Sequence, residues 1–252
     1  MSKTKKKIFT EDSLLDFYEK EHLRYTFADK NQVKLEGKTD EYSYRFYTTD
    51  NYKNIHAKIY FIKNKKIKNL ILDKKVKSIT FVGDNLEYIP ELPDTIERLE
   101  IQIDEIPKFR HPLPKNLKML ILESSHIDGK LPDLSYLKNL WFLNASRNKI
   151  GKIRSSTLPD SLMDIDIRNN LLTKLPNKLP KNLVILSCQD NNIEYLDNLS
   201  YLKKLKSVYL GNNKLIKVSS TPPVKGVYVA LTQNPIKYKT LSDKWQEHFI
   251  RN

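Results

Sequence analysis

From residue 56 to residue 236 the apolar positions of this chain return in one figure, LxxLxLxxNxL. Leu205, Val208, Leu210 and Leu215 carry Asn213 between them, and one period earlier Leu183, Leu186, Cys188 and Ile193 carry Asn191. Leu162, Ile165, Ile167 and Leu172 do the same with Asn170, and Leu140, Leu143, Ala145 and Ile150 with Asn148. Upstream copies put Ser125, Asp104 and Asp84 at the asparagine position. Val229, Leu231, Asn234 and Ile236 form the last copy, and His56, Ile59, Phe61, Asn64 and Ile67 a degenerate first one. Self-similarity over about nine units of roughly 20–23 residues predicts stacked repeats.

Each xLxLx centre alternates apolar and polar residues, which predicts a short strand with one face inward. One unit alone cannot bury that face, but stacked units form a parallel sheet over a shared core. The asparagine stands where the chain leaves the strand. Its amide can bond backbone groups of successive turns, and Asp or Ser can do part of that work. The second half of several units reads like Ile89-Pro90-Glu91-Leu92-Pro93 or Leu175-Pro176-Asn177-Lys178-Leu179-Pro180. Proline fixes φ and removes a donor, so these segments are expected to be extended or polyproline-like. Near Gly129 the period lengthens, and residues 124–138 are expected to form a longer, glycine-containing turn.

Copies of this kind in register, with LPxxLP half-units, resemble the leucine-rich-repeat superfamily, and within it the short repeats of bacterial effector proteins. Related repeats occur in proteins of large DNA viruses. The resemblance covers residues 56–236. It implies an α/β solenoid, a right-handed arc with one parallel sheet on the concave face and irregular, polyproline-like or short helical convex segments. It also implies a non-catalytic scaffold for protein–protein interaction, a host protein among the partners it admits. It does not single out a partner, because the superfamily binds many.

Residues 1–55 depart from the repeat and are expected to be an N-terminal cap, with residues 237–252 as a helical C-terminal cap. Ser13-Leu14-Leu15-Asp16 has a capping pattern for a short helix. Tyr42, Tyr44 and Phe46 alternate as in a strand, expected to pair with residues 33–35 around Glu36-Gly37-Lys38. Residues 241–249 read as a helix begun by Ser242, with Trp245 and Phe249 on one face.

The chemistry is sparse. His22, His56, His111, His126 and His248 lack metal-ligand spacing, and Cys188 has no CxxC partner. Cys188 falls at an inward position and is expected in the core. The six glycines form no phosphate-binding loop. No catalytic residue, cofactor or metal is therefore expected. A lone cysteine, no secretory signal and no membrane-length apolar run point to an intracellular, cytoplasmic protein, in the host cytoplasm for a pathogen or virus.

The net charge is +14. A Lys-, Asn- and Ile-rich, Ala- and Gly-poor composition is what an AT-rich genome produces whatever the function, and the lysines look scattered. The alternative function is an electrostatic binder of nucleic acid or an acidic surface. It would use the dense runs Lys3, Lys5, Lys6 and Lys7, and Lys63, Lys65, Lys66, Lys68, Lys74 and Lys75.

Register also lists the outward residues. One row is Met119, Phe142, Asp164, Ile185, Ser207 and Tyr228, and the next is Ile121, Asn144, Asp166, Ser187, Tyr209 and Ala230. Trp141, Met163 and Val184 precede the strands, and Arg147 and Arg168 follow them. The expected partner-binding site is Met119, Ile121, Trp141 and Phe142 as anchors, with Asp164, Asp166, Arg147, Arg168 and Tyr209 around them. Large apolar groups exposed together serve no folding purpose, and an aromatic anchor edged by charge has the composition of a binding hot spot.

Overall fold

The computed structural model describes residues 24–29, 32–38, 42–49, 54–61, 76–105, 108–123, 125–237, 241 and 243–246. The chain forms two compact units, Met1–Ile103 with Pro107–Pro114, and Asp104–Ile106 with Lys115–Asn252.

In the first unit, strands β1 (Arg24–Asp29), β2 (Gln32–Lys38), β3 (Tyr42–Thr49), β4 (Asn54–Phe61), β5 (Val76–Asn85) and β6 (Arg98–Glu105) lie side by side in that order. β1 to β4 are antiparallel, and β4 pairs with β5 in parallel. Leu35 pairs with Phe46 as the alternation suggests, but the turn is not where it was expected. Glu36, Gly37 and Lys38 stay in the ladder opposite Arg45, Tyr44 and Ser43. Extending the ladder gives their backbone groups partners that a tight turn would leave to water.

The degenerate first copy is also out of its expected register. Ala57 pairs with Ile79 and Ile59 with Phe81, two residues from the match of Ile59 with Ile79. A shift of two keeps each residue on its own side of the sheet. It is set by an antiparallel ladder with β3 along all of β4, and by a bulge between Ile55 and His56. Val76, Ile79, Phe81, Ile96, Leu99 and Ile101 are fully buried. The helix expected from Ser13, and Phe249 at the other end, lie outside the described residues.

The second unit is a solenoid of stacked coils. Its sheet runs β7 (Met119–Ile121), β9 (Phe142–Asn144), β11 (Asp164–Asp166), β12 (Ile185–Ser187), β14 (Ser207–Tyr209) and β16 (Tyr228–Ala230), all parallel. Each strand buries its middle residue and leaves the two flanking ones half-exposed. Two parallel ribbons follow the asparagine positions: β8 (Asp128–Lys130) with β10 (Lys149–Lys152), and β13 (Tyr195–Leu196) with β15 (Lys217–Val218). Gly129, expected in a turn, thus sits in a short strand, at a φ of 75° that suits glycine. Helix is scarce among the described residues: a 3-10 turn at Ser155–Thr157, and α1 (Asp243–Gln246). α1 seats Trp245 in the core, where its indole N–H donates to the Ser219 carbonyl at 2.8 Å.

The asparagines form one continuous ladder. Asn191 Nδ2 donates to the carbonyls of Cys188 and Gln189 in its own coil and of Ile167 in the coil before, at 3.0–3.1 Å. Its Oδ1 accepts the Leu172 N–H at 3.0 Å. Asn148, Asn170, Asn213 and Asn234 repeat this pattern. Successive amides share carbonyls: the Cys188 oxygen accepts from both Asn191 and Asn213. Ser125 is too short to span two coils this way; its hydroxyl donates to the nearby Glu123 carbonyl at 3.4 Å. The residue before each of these asparagines is left-handed: Arg147, Asn169, Asp190, Asn212 and Gln233 have φ of 52–56°. Asn and Asp tolerate that region, whereas Arg147 and Gln233 hold it against their own preference because the amide behind them must point inward.

Candidate functional site

The open face of the second unit's sheet is built by backbone pairing alone. Met119, Phe142, Asp164, Ile185, Ser207 and Tyr228 neighbour one another in that order, as do Ile121, Asn144, Asp166, Ser187, Tyr209 and Ala230. A further row precedes the strands. The Met163 N–H donates to the Trp141 carbonyl at 2.9 Å, and Val184 N–H to the Met163 carbonyl at 2.7 Å. Trp141 is 40% exposed and Met163 43%, while Met119, Ile121, Phe142 and Ile185 are half-buried. Trp141 meets the edge of Phe142 with ring centroids 5.8 Å apart.

The expected site residues are not one uniform cluster. Met119, Phe142 and Trp141 come together, but Asp164 interrupts the apolar row between Phe142 and Ile185. Asp166 is engaged by Arg168, whose Nη2 donates to Oδ2 at 2.7 Å and whose Nε lies 3.0 Å from both oxygens. Arg147 reaches Glu123, at 3.6 Å, rather than either aspartate. Glu123 also accepts from Asn144 Nδ2 at 3.3 Å. The repeat pattern did not single out Glu123, although its place, two residues past its strand, is the one Arg168 holds in a later coil. Tyr209 stands two strands from Asp166 and packs edge-on against Tyr228, with centroids 5.7 Å apart. Residues 125–138 do not cross this face. They run in the second layer of their coil, where Leu134 N–H donates to the Thr157 carbonyl at 2.9 Å.

Asp164 is the electrostatic weak point. Burial between apolar neighbours, and then the charge of Asp166, push its carboxyl above the ordinary aspartate range. A raised folded pKa means that the folded chain holds this proton more tightly than the unfolded one. The resulting stability is present below the unfolded pKa and is lost as pH rises through the folded one. Asp164→Asn is therefore expected to be more stable than the parent at about pH 7, with the gain shrinking toward about pH 4. Urea midpoints at both pH values check this; an equal difference at both would contradict it.

Cys188 is fully buried. Burial, and then the charge of Asp166, push its thiol well above the ordinary range, so it stays protonated and unreactive. Among the described residues no group of three or more His, Cys, Asp or Glu could hold a metal, and no helix is long and apolar enough to cross a membrane. The lysine runs at 3–7 and 63–75 lie outside the described residues.

No protein-family model matches the chain. It is 31% identical to rat osteomodulin over 130 residues, 48% of this chain and 30% of that protein. It is 30% identical to bovine lumican over 155 residues, 58% of this chain and 42% of that protein. The chain thus spans less than half of these curated relatives. Among solved structures it is similar to YopM from Yersinia enterocolitica, with a TM-score of 0.54 and 24% identity over 70% of this chain and 37% of that one. It is also similar to InlP from Listeria monocytogenes, with a TM-score of 0.55 and 20% identity over 70% of this chain and 53% of that one. At these identities the structural matches speak for the fold alone.

Proposed function

This chain belongs to the leucine-rich-repeat superfamily, and from that premise we propose that it is a non-catalytic scaffold whose second unit holds a protein partner on the open sheet face. The family's general role supports binding, and the details rest on this face. The observation that carries them is the exposure of Trp141 and Met163 beside half-buried Phe142. A coil closes without a large apolar group at those positions, since Lys118 and Lys206 fill the Trp141 place in other coils. Trp141 and Phe142 anchor the partner. The Arg168–Asp166 pair and Arg147 with Glu123 offer hydrogen bonds around the anchor and select among partners.

The double change Trp141→Ala and Phe142→Ala tests this. Hot-spot anchors are worth about 2 kcal/mol or more each, so loss of one alone should lower affinity by about 30-fold and loss of both by up to about 1000-fold. The measurement is binding to the partner recovered with the parent chain, using a variant whose circular dichroism and melting match the parent. Unchanged affinity would remove the sheet face from consideration.

A further inference from the structure

The coil gathers lysines that look scattered along the chain. In the second unit the segments leading into the strands are 115–118, 135–141, 157–163, 178–184, 200–206 and 221–227. They carry nine lysines, a single carboxylate, Asp160, and no arginine. The segments that leave the strands are mixed, with Glu123, Asp128, Asp190 and Glu194 among their cations. Lys115, Lys138, Asp160, Lys181 and Lys203 hold one position in successive coils, and all are exposed. A second polar ladder keeps these segments in line. Asn139 Nδ2 donates to the Lys115 carbonyl at 3.4 Å, Ser161 Oγ to the Leu140 carbonyl at 2.7 Å, and Asn182 Nδ2 to the Asp160 carbonyl at 2.8 Å. With adjacent coils about 4.8 Å apart, one edge of the sheet carries lysine on five of these six coils, interrupted at Asp160.

A cleft of about 700 Å³ opens in this edge across three coils. Lys138, Lys178 and Lys181 line it, Asp160 is its one carboxylate, and Leu158, Pro159 and Leu179 supply apolar surface. Its polar groups contact one another and the backbone at the surface. Lys138 Nζ donates to the Ser135 carbonyl at 2.6 Å, and Lys181 Nζ lies 3.3 Å from Asp160 Oδ2. Ser155 Oγ accepts the Lys178 N–H at 3.0 Å, which leaves its own proton to donate. Ser161 spends its proton on the Leu140 carbonyl and keeps lone pairs to accept.

Lysines act as point charges for phosphate without the planar fork that arginine imposes. Among the described residues no aromatic ring lines the cleft, which gives a nucleobase no platform there. Hydroxyls that donate and accept suit a ligand bearing hydroxyl groups, and the apolar wall suits the C–H face of a ring. The volume is that of a small-molecule site, and a cleft of one predominant sign concentrates counter-charged ligand. We propose that this cleft binds a cyclic polyol carrying several phosphate esters. The proposal is independent of the sheet-face reading, from which it shares no residue.

The test is calorimetric titration of the full chain with inositol hexakisphosphate at about 0.15 M salt, where unfocused surface attraction is screened. Lys138→Ala, Lys178→Ala and Lys181→Ala together should weaken binding at least about tenfold. Lys149→Ala, Lys152→Ala and Lys214→Ala remove the same charge from segments that leave the strands, and should change it less than about twofold. Asp160→Asn removes the one repulsive group and should tighten binding about threefold, a gain that a misfolded variant cannot give. Equal losses in the two triple variants would show attraction to net charge alone and overturn the proposal. So would absence of binding to the parent, no gain from Asp160→Asn, or tighter binding of a sulfated oligosaccharide than of the polyphosphate.

Discussion

Replacing Asn191 with alanine is expected to lower the folding stability by about 3–5 kcal/mol. The substitution removes three donated hydrogen bonds and one accepted one, all 3.0–3.1 Å long. The carbonyls of Ile167 and Cys188 keep a second partner, Asn170 and Asn213 respectively, so each loses one bond of two. The Leu172 N–H loses the Asn191 oxygen that satisfied it inside the coil, and a buried orphan donor alone costs about 1–3 kcal/mol. The lost donations add about 0.5–1.5 kcal/mol each at most, reduced by the sharing. Urea denaturation gives the number, and a change below about 1 kcal/mol would show that the ladder is not what joins the coils. Asn191→Asp separates the donor from the acceptor role. A carboxylate can accept from Leu172 but has nothing to donate to three carbonyls. It should cost at least as much as alanine at neutral pH and recover as acid restores a donor proton.

The second large effect is Leu186→Ala, expected to cost about 2–5 kcal/mol. Leu186 is fully buried in the middle of β12, paired with Ile165 on one side and Val208 on the other. The neighbouring coils are tied by the asparagine ladder and cannot collapse freely into the space, so the upper half of that range is the expectation. An unmoved melting curve would mean that Leu186 does not face the core.

The inward register of the second unit was legible in the residues alone. Leu143, Ile165, Leu186 and Val208 each recur two residues before a second inward residue and five residues before the asparagine of their own coil. Local alternation, repeated in many copies, leaves a single frame that buries every apolar residue at once. The same frame sorted Met119, Phe142 and Asp164 to the open face, and placed Cys188 in the core.

Tertiary structure decided what depends on neighbours from other coils or strands. β4 took its register from β3 and a bulge, because an antiparallel ladder along its full length outweighs a weak copy of the repeat. Asp166 went to Arg168 and Arg147 to Glu123, because side-chain reach across and along the coil chooses partners among several of the right sign. Asp164 became a strained carboxyl because stacking set Phe142 and Ile185 on either side of it. The approach segments recur roughly every twenty residues and carry at most three lysines each, with none in 157–163, so a search for basic runs passes over them. Stacking brings them to one edge, because a solenoid turns a repeat in sequence into a neighbour in space.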